Sequence, residues 1–371
     1  MSHRMPSHPR RFRRGPVGRR LPSWRNWRIP VLGCLLLGVT LGLNSPSMHS
    51  RGRVIAYVAY WDQDPGFAAT ERHLDTLSAI SPWWYSVDSA GAVVPQHAGM
   101  TDIDASAVRR FRASGMRVMP TIANHRDGEW DDQVVAQLLA DPGATADHIR
   151  NIVELVVRAG YAGIDIDYEN LPSSTRDAFS AFVRDLSTSL HRNRKLLSVC
   201  VHPKTSDEGV DERNVAQDYR AIGAAADEVR VMTYDYHWAT SRPGPVAPIG
   251  WVDEVIAYTL RHVPRDKVIM GVPLFGYDWP DGGAAEPVTW DQVQARVRTQ
   301  QVAISVDQAS KASWFTYIDR DRRGHTVWFD DAAAIDAKLR LARSYGVAGV
   351  FLWRLGGESP ETWRLLRLNP A

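Results

Sequence analysis

The segment Tyr161-Ala-Gly-Ile-Asp-Ile-Asp-Tyr-Glu169 decides how the chain is read. Ile164, Ile166 and Tyr168 alternate with Asp165, Asp167 and Glu169. An extended backbone therefore puts the apolar side chains on one face and three carboxylates on the other. In a barrel the outward face packs on helices and is apolar, which turns the acids inward. Same-face neighbours lie about 6.6 Å apart by the strand rise. Three carboxylates so placed cannot all stay ionised cheaply, and at least one proton is shared near neutral pH. A carboxyl group kept protonated there suits a general acid, and Glu169 sits at the C-terminal strand end where barrel enzymes carry their chemistry. The same pattern also fits a solvated acidic edge strand or an oxygen-rich site for Mg²⁺ or Mn²⁺. The apolar alternate face and Gly163 speak against the first. No His-x-His, H-E-x-x-H or D-x-D-x-D-G pattern supplies further ligands for the second, so neither metal nor cofactor is expected.

Outward from this segment, apolar strand-like runs recur between amphipathic stretches: Val54 to Tyr60, Trp83 to Val87, Arg117 to Ile122, Gly163 to Tyr168, Leu196 to Val201, Val229 to Thr233, Val268 to Leu274 and Ala348 to Trp353. Helical periodicity fills the gaps at Thr145 to Ala159, Arg176 to Leu190 and Ala332 to Tyr345. Alternation of this kind means α/β with parallel strands, and eight runs make a (β/α)8 TIM barrel. Between the seventh and eighth runs, Trp314 to Ile318 and His325 to Phe329 flank Asp319-Arg-Asp-Arg-Arg-Gly324 and read as a hairpin. A small α+β insertion is expected there, at about residues 277–329, between strand 7 and helix 7.

Three motifs in order resemble glycoside hydrolase family 18, the chitinase-like barrels, whose hallmark is D-G-x-D-x-D-x-E on the fourth strand. Ala162-Gly-Ile-Asp-Ile-Asp-Tyr-Glu169 departs from it only at the first Asp. Val231-Met-Thr-Tyr-Asp-Tyr-His-Trp238 is similar to the sixth-strand M-x-Y-D, and Gly349-Val-Phe-Leu-Trp353 to the eighth-strand motif whose Trp floors the cleavage subsite. The likeness runs from Val54 to Arg364. It implies a retaining, substrate-assisted glycosidase acting on a polymer with N-acetylglucosamine, in which the substrate's own N-acetyl oxygen is the nucleophile. Glu169 would be the acid, Asp167 the partner of the acetamide, Asp165 its hydrogen-bonded support at rest, and Tyr234 the holder of the carbonyl end. Asp235, Trp353, Tyr57, Trp84 and Met232 are the candidate substrate contacts. Trp83-Trp-Tyr-Ser86, Trp328-Phe-Asp-Asp331 and Trp353-Arg-Leu-Gly356 look more like bacterial cell-wall and spore-associated members. They move the expected substrate towards peptidoglycan or an exopolysaccharide. The rival reading is a non-hydrolytic, lectin-like barrel, but such members generally lose the terminal Glu that is kept here as Glu169.

Composition agrees with a folded enzyme: of 371 residues, 44% are hydrophobic and 14 are Trp, whose faces stack on sugars. The net charge of +2 hides a division, because residues 1–30 hold nine Arg and no acidic residue, and the remainder carries 35 basic against 42 acidic side chains. That basic tail, 1–28, leads into the apolar segment 29–43, followed by a linker at 44–53 and the barrel at 54–371. Arginines before an apolar segment mark export. The 15 residues fall short of the roughly 20 that span a bilayer, so both a signal peptide and a signal anchor fit. Trp24, Trp27 and the lack of a small-x-small site in Leu43 to Arg53 favour the anchor. An extracytoplasmic location, attachment to the membrane through the N-terminus, a monomer and no nucleic-acid partner are expected. Cys34 and Cys200 are the only cysteines, so no disulfide framework or thiolate metal site is available.

Overall fold

Eight parallel strands close on themselves in the order the apolar runs have along the chain. The computed structural model describes residues 52–96, 105–207 and 211–368. The strands are β1 Arg53–Ala59, β2 Ala79–Val87, β3 Thr121–Ala123, β4 Gly163–Asp167, β5 Leu196–Val201, β6 Glu228–Val231, β7 Val268–Pro273 and β8 Gly349–Trp353. Each pairs in parallel with the next, and β8 returns to β1, so the barrel has no open edge. Helices such as Pro142–Arg158, Arg176–Arg192 and Ala332–Tyr345 cover its outside. At the first of these, Asp141 accepts from the N–H groups of Gly143 and Ala144 and Pro142 opens the first turn, a start that satisfies otherwise orphaned donors.

The alternation on β4 is what the strand geometry demands. Ile164 and Ile166 are fully buried in the layer between strands and helices. Tyr168 continues that face: its hydroxyl donates to His148 Nε2 at 2.6 Å, and its ring meets those of Phe179 and Phe182 on the Arg176–Arg192 helix. His148 Nδ1 in turn donates to the Gly91 carbonyl at 2.7 Å.

Two strands depart from the simple runs. Arg117–Val118 pairs with β2, but the ladder breaks at Met119 and Pro120 before resuming as β3, because proline has no N–H to give. On β2 the register slips between Trp83 and Tyr85. Between β7 and the Ala332–Tyr345 helix lies a separate five-stranded antiparallel sheet in the order Glu286–Thr289, Phe275–Pro280, Gly324–Phe329, Ser313–Ile318, Ser305–Val306. With the helix Trp290–Gln300 it closes a small core of its own around Val293, Phe315 and Val327. The basic tail and the apolar segment 29–43 lie outside the described residues. Among the described residues no helix is long and apolar enough to cross a membrane.

At Gly163 a Cβ would run into the main-chain carbonyl of Leu196 on β5. The neighbouring strand is too close for any side chain at the root of the acidic strand. Gly163→Ala should therefore lower stability by about 1–3 kcal/mol, the usual cost of forcing atoms into a filled core. Urea unfolding followed by tryptophan fluorescence measures it, and a variant as stable as the wild type would contradict the close approach.

Candidate active site

The three acidic side chains descend into the barrel in steps. Asp165 is 0% exposed, Asp167 5%, and the Glu169 side chain 17%. Above them opens a cleft of about 580 Å³ at the C-terminal ends of the strands, lined by Asp167, Glu169, Met232, Tyr234, Asp235 and Trp353, with Tyr57 at its base. The fourth, sixth and eighth strand ends thus meet in one place.

Asp165 lies below the cleft and is bound from beneath. Its Oδ2 accepts from the Tyr57 hydroxyl at 2.6 Å and the Thr121 hydroxyl at 2.9 Å, and the Cys200 thiol lies 3.5 Å away. Asp167 accepts from Trp83 Nε1 at 3.0 Å through Oδ2, while its buried Oδ1 has no partner. The expected hydrogen bond between Asp165 and Asp167 is therefore not made in this state. Burial, reinforced by the Asp165 charge, pushes the Asp167 carboxyl up to about 7 against the pull of Trp83 and Arg230. For Glu169, burial and then the charges of Asp167 and Asp235 raise its carboxyl well above the usual range, with Arg213 opposing. Asp235 opens onto the cleft, yet the surrounding protein desolvates its carboxyl enough to raise it to about 6, although it accepts from Tyr277 at 3.0 Å.

Several residues that the sequence does not mark hold this group in place. Asn124 grips the main chain of Glu169 from both sides, its Oδ1 accepting from the Glu169 N–H at 2.8 Å and its Nδ2 donating to the Glu169 carbonyl at 2.9 Å. His202 Nε2 accepts from the Asn170 N–H at 3.4 Å and stands 3.6 Å from Glu169 Oε2. Burial, and then Arg213, hold that imidazole down to about 3, so it is neutral beside the acid. Deep in the barrel Arg230, fully buried, donates to Tyr57, Ser81 and Glu228.

One expected contact is misplaced by a single residue. Trp84 does not line the cleft: it is fully buried on the helix side of β2, with its Nε1 bound to Gln63 at 2.7 Å and its ring against Phe67. Ser81 and Trp83 share the inward face, so strict alternation sends Trp84 outward. Trp83 takes the place in the cleft, 6.1 Å from Trp353 between ring centroids. Exposed Trp61, Trp130, Tyr236 and Trp238 rim it, offering apolar faces for sugar rings. Among the described residues no group of three or more His, Cys, Asp or Glu side chains is arranged to hold a metal ion.

Residues 53–358 match the sequence profile of the glycosyl hydrolases family 18. The chain belongs to this family. It is a glycosidase, and cortical fragment-lytic enzymes of Bacillus are among its relatives at about a third identity. The cortical fragment-lytic enzyme of Bacillus subtilis strain 168 is 34% identical over 254 residues, 67% of this chain and 59% of that protein. The glycosylase YvbX of the same organism is 29% identical over 347 residues, 92% of this chain and 98% of that one. Among solved structures, the spore cortex-lytic enzyme SleL of Bacillus cereus superposes with a TM-score of 0.79 at 27% identity, over 86% of this chain and 74% of that one. A chitinase from Chromobacterium violaceum does so with 0.80 at 27% identity, over 86% and 99%.

The raised carboxyls of this family 18 site carry a stability cost with a definite sign. A carboxyl whose folded value lies above its unfolded one takes nothing from stability below the unfolded value, where both states are protonated; the cost builds as pH rises from the unfolded to the folded value and is complete above the latter. Glu169→Gln and Asp167→Asn should each melt higher than wild type above neutrality, and the gain should vanish near pH 4. Calorimetry across that range measures it. A gain that persists at pH 4, or a loss at pH 8, would contradict the raised values.

Proposed function

We propose that this glycosidase cleaves a β-linked polysaccharide containing N-acetylglucosamine, of bacterial cell-wall type, by a substrate-assisted mechanism that retains the anomeric configuration. The observation that carries the reading is the pairing of a desolvated Glu169, whose carboxyl is raised well above the usual range, with an Asp167 whose Oδ1 lacks a partner, both facing one aromatic cleft. Glu169 protonates the leaving oxygen. The substrate's acetamide oxygen attacks the anomeric carbon from the opposite face, so no protein carboxylate is needed as nucleophile. Asp167 takes the acetamide N–H and balances the positive charge of the cyclised intermediate, and Tyr234 holds the carbonyl end. Burial keeps the Tyr234 phenol protonated, so it can donate. Water then opens the intermediate with Glu169 as base. Trp353 floors the subsite, with Tyr57, Met232 and Asp235 around it.

A peptidoglycan-like substrate is supported by the cortical fragment-lytic and cortex-lytic relatives, and the arginine-rich start with its apolar segment supports action outside the cytoplasm from a membrane anchor or after secretion. The catalytic unit would be residues 54–371, acting as a monomer.

Glu169→Gln should leave the fold intact and lower hydrolysis by at least about 10²-fold, the low end for a general acid. A panel of chitin oligomers, peptidoglycan and poly-N-acetylglucosamine, with products read by mass spectrometry, checks it. A variant keeping more than about a tenth of the wild-type rate would contradict the role of Glu169.

A further inference from the structure

A closed barrel of this size is usually filled by branched apolar side chains, yet its floor here is ionic. Glu228 and Arg230, both fully buried, point inward from β6 and bond each other at 3.0 Å. Glu228 also takes Arg53 at 2.9 Å and Arg117 at 3.0 Å, two side chains still 29% exposed at the N-terminal end. Burial works against its charge, but Arg230, Arg117 and Arg53 together hold it down to about 2. Glu228 is thus already served by cations that reach water, and Arg230 is turned upward to other work.

Arg230 Nη1 donates to the Tyr57 hydroxyl at 2.9 Å and to Ser81 at 2.5 Å, and stands 3.5 Å from Asp165 Oδ1. Tyr57 in turn donates its hydroxyl hydrogen bond to Asp165 Oδ2 at 2.6 Å. Guanidinium, phenol and carboxylate form one chain directed at the lowest acid of the catalytic strand. Charges buried this deeply are costly unless paired, and they act over short distances with little screening.

We propose that Arg230 is a positioning residue for the catalytic carboxylates: directly and through Tyr57, it supplies the counter-charge that turns Asp165 downward and leaves Asp167 facing the cleft. The groups facing this pair are Tyr57 from β1, Asp167 from β4, Cys200 from β5 and Glu228 from β6, and Arg230 is the cation among them. Without it Asp165 loses its hold from below and competes with the acetamide for Asp167, and Asp167 binds its proton more tightly. The inference rests on the reading of Asp167 as the partner of the acetamide, but its first readout does not require hydrolysis.

The test replaces the ion pair as a unit, Glu228→Leu with Arg230→Met, since exchanging a buried pair for apolar residues of similar size usually spares the fold. Arg53 and Arg117 remain free to reach water. The Asp167 carboxyl, followed by carbon NMR in the full chain, should titrate higher than in wild type, because the cation that draws it down is gone. The acid limb of kcat/KM should move in the same direction, with kcat reduced more than KM is changed. Arg230→Lys keeps the charge and should keep the wild-type titration. A folded double variant in which Asp167 titrates as in wild type overturns the proposal. Should the double variant not fold, Arg230→Gln takes its place, with Glu228 still held by Arg53 and Arg117, and an Asp167 titration unchanged from wild type there overturns the proposal equally. Failure of the wild type to cleave any N-acetylglucosamine polymer would instead strike the proposed function, with the NMR titration still deciding the role of Arg230.

Discussion

Three carboxyl groups on one face of one strand, enclosed in a barrel, cannot all be charged, and much of the molecule follows from that constraint. Water reaches Glu169 and hardly touches Asp165, so proton affinity must be settled by neighbours and not by solvent. From below, two hydroxyls, a thiol and a guanidinium take up Asp165. An indole N–H holds one oxygen of Asp167. Glu169 has a neutral imidazole near it and its main chain clamped by an amide, neither of which neutralises a charge. The gradient leaves the proton at the top of the strand, where a leaving group can receive it.

Barrel closure makes this arrangement affordable. Asp165 and Asp167 have their counterparts on adjacent or facing strands: Tyr57 on β1, Trp83 on β2, Thr121 on β3, Cys200 on β5 and Arg230 on β6. No single loop builds the site. Because the supporting groups sit on paired strands, their positions are fixed by backbone hydrogen bonds, which suits the proposed reaction, in which an acetamide must be held in one attacking pose.

Most of the fold is legible in the sequence because its period-2 and period-3.6 patterns are strong. Leu196–Val201 and Ala332–Tyr345 coincide with the expected runs, and the other barrel strands lie close to theirs. Part of the central site is legible for the same reason, since Asp165, Asp167 and Glu169 follow from alternation, whereas Tyr234, Asp235 and Trp353 come from the resemblance of their motifs to family 18. What escapes are contacts that carry no local pattern. Trp84 and Trp83 are adjacent, and only the pairing of β2 with β1 and β3 says which one turns inward. Nothing in the run Val229 to Thr233 singles out Arg230 or its neighbour Glu228, and their pairing becomes visible only when Arg53 and Arg117 are seen to meet Glu228 from other strands. Asn124 and His202 are single residues on separate loops, joined to Glu169 by folding and by nothing in the spacing.

The proposed mechanism turns on an acid without a protein nucleophile: Glu169 would give its proton while the substrate's acetamide, held by Asp167 and Tyr234, attacks. Proton NMR of the sugar released from an N-acetylglucosamine oligomer, recorded before mutarotation, reads this most directly. Two inversions at one carbon predict that the β anomer appears first. Initial release of the α anomer would contradict the account, because it would mean that water and not the acetamide displaces the leaving group.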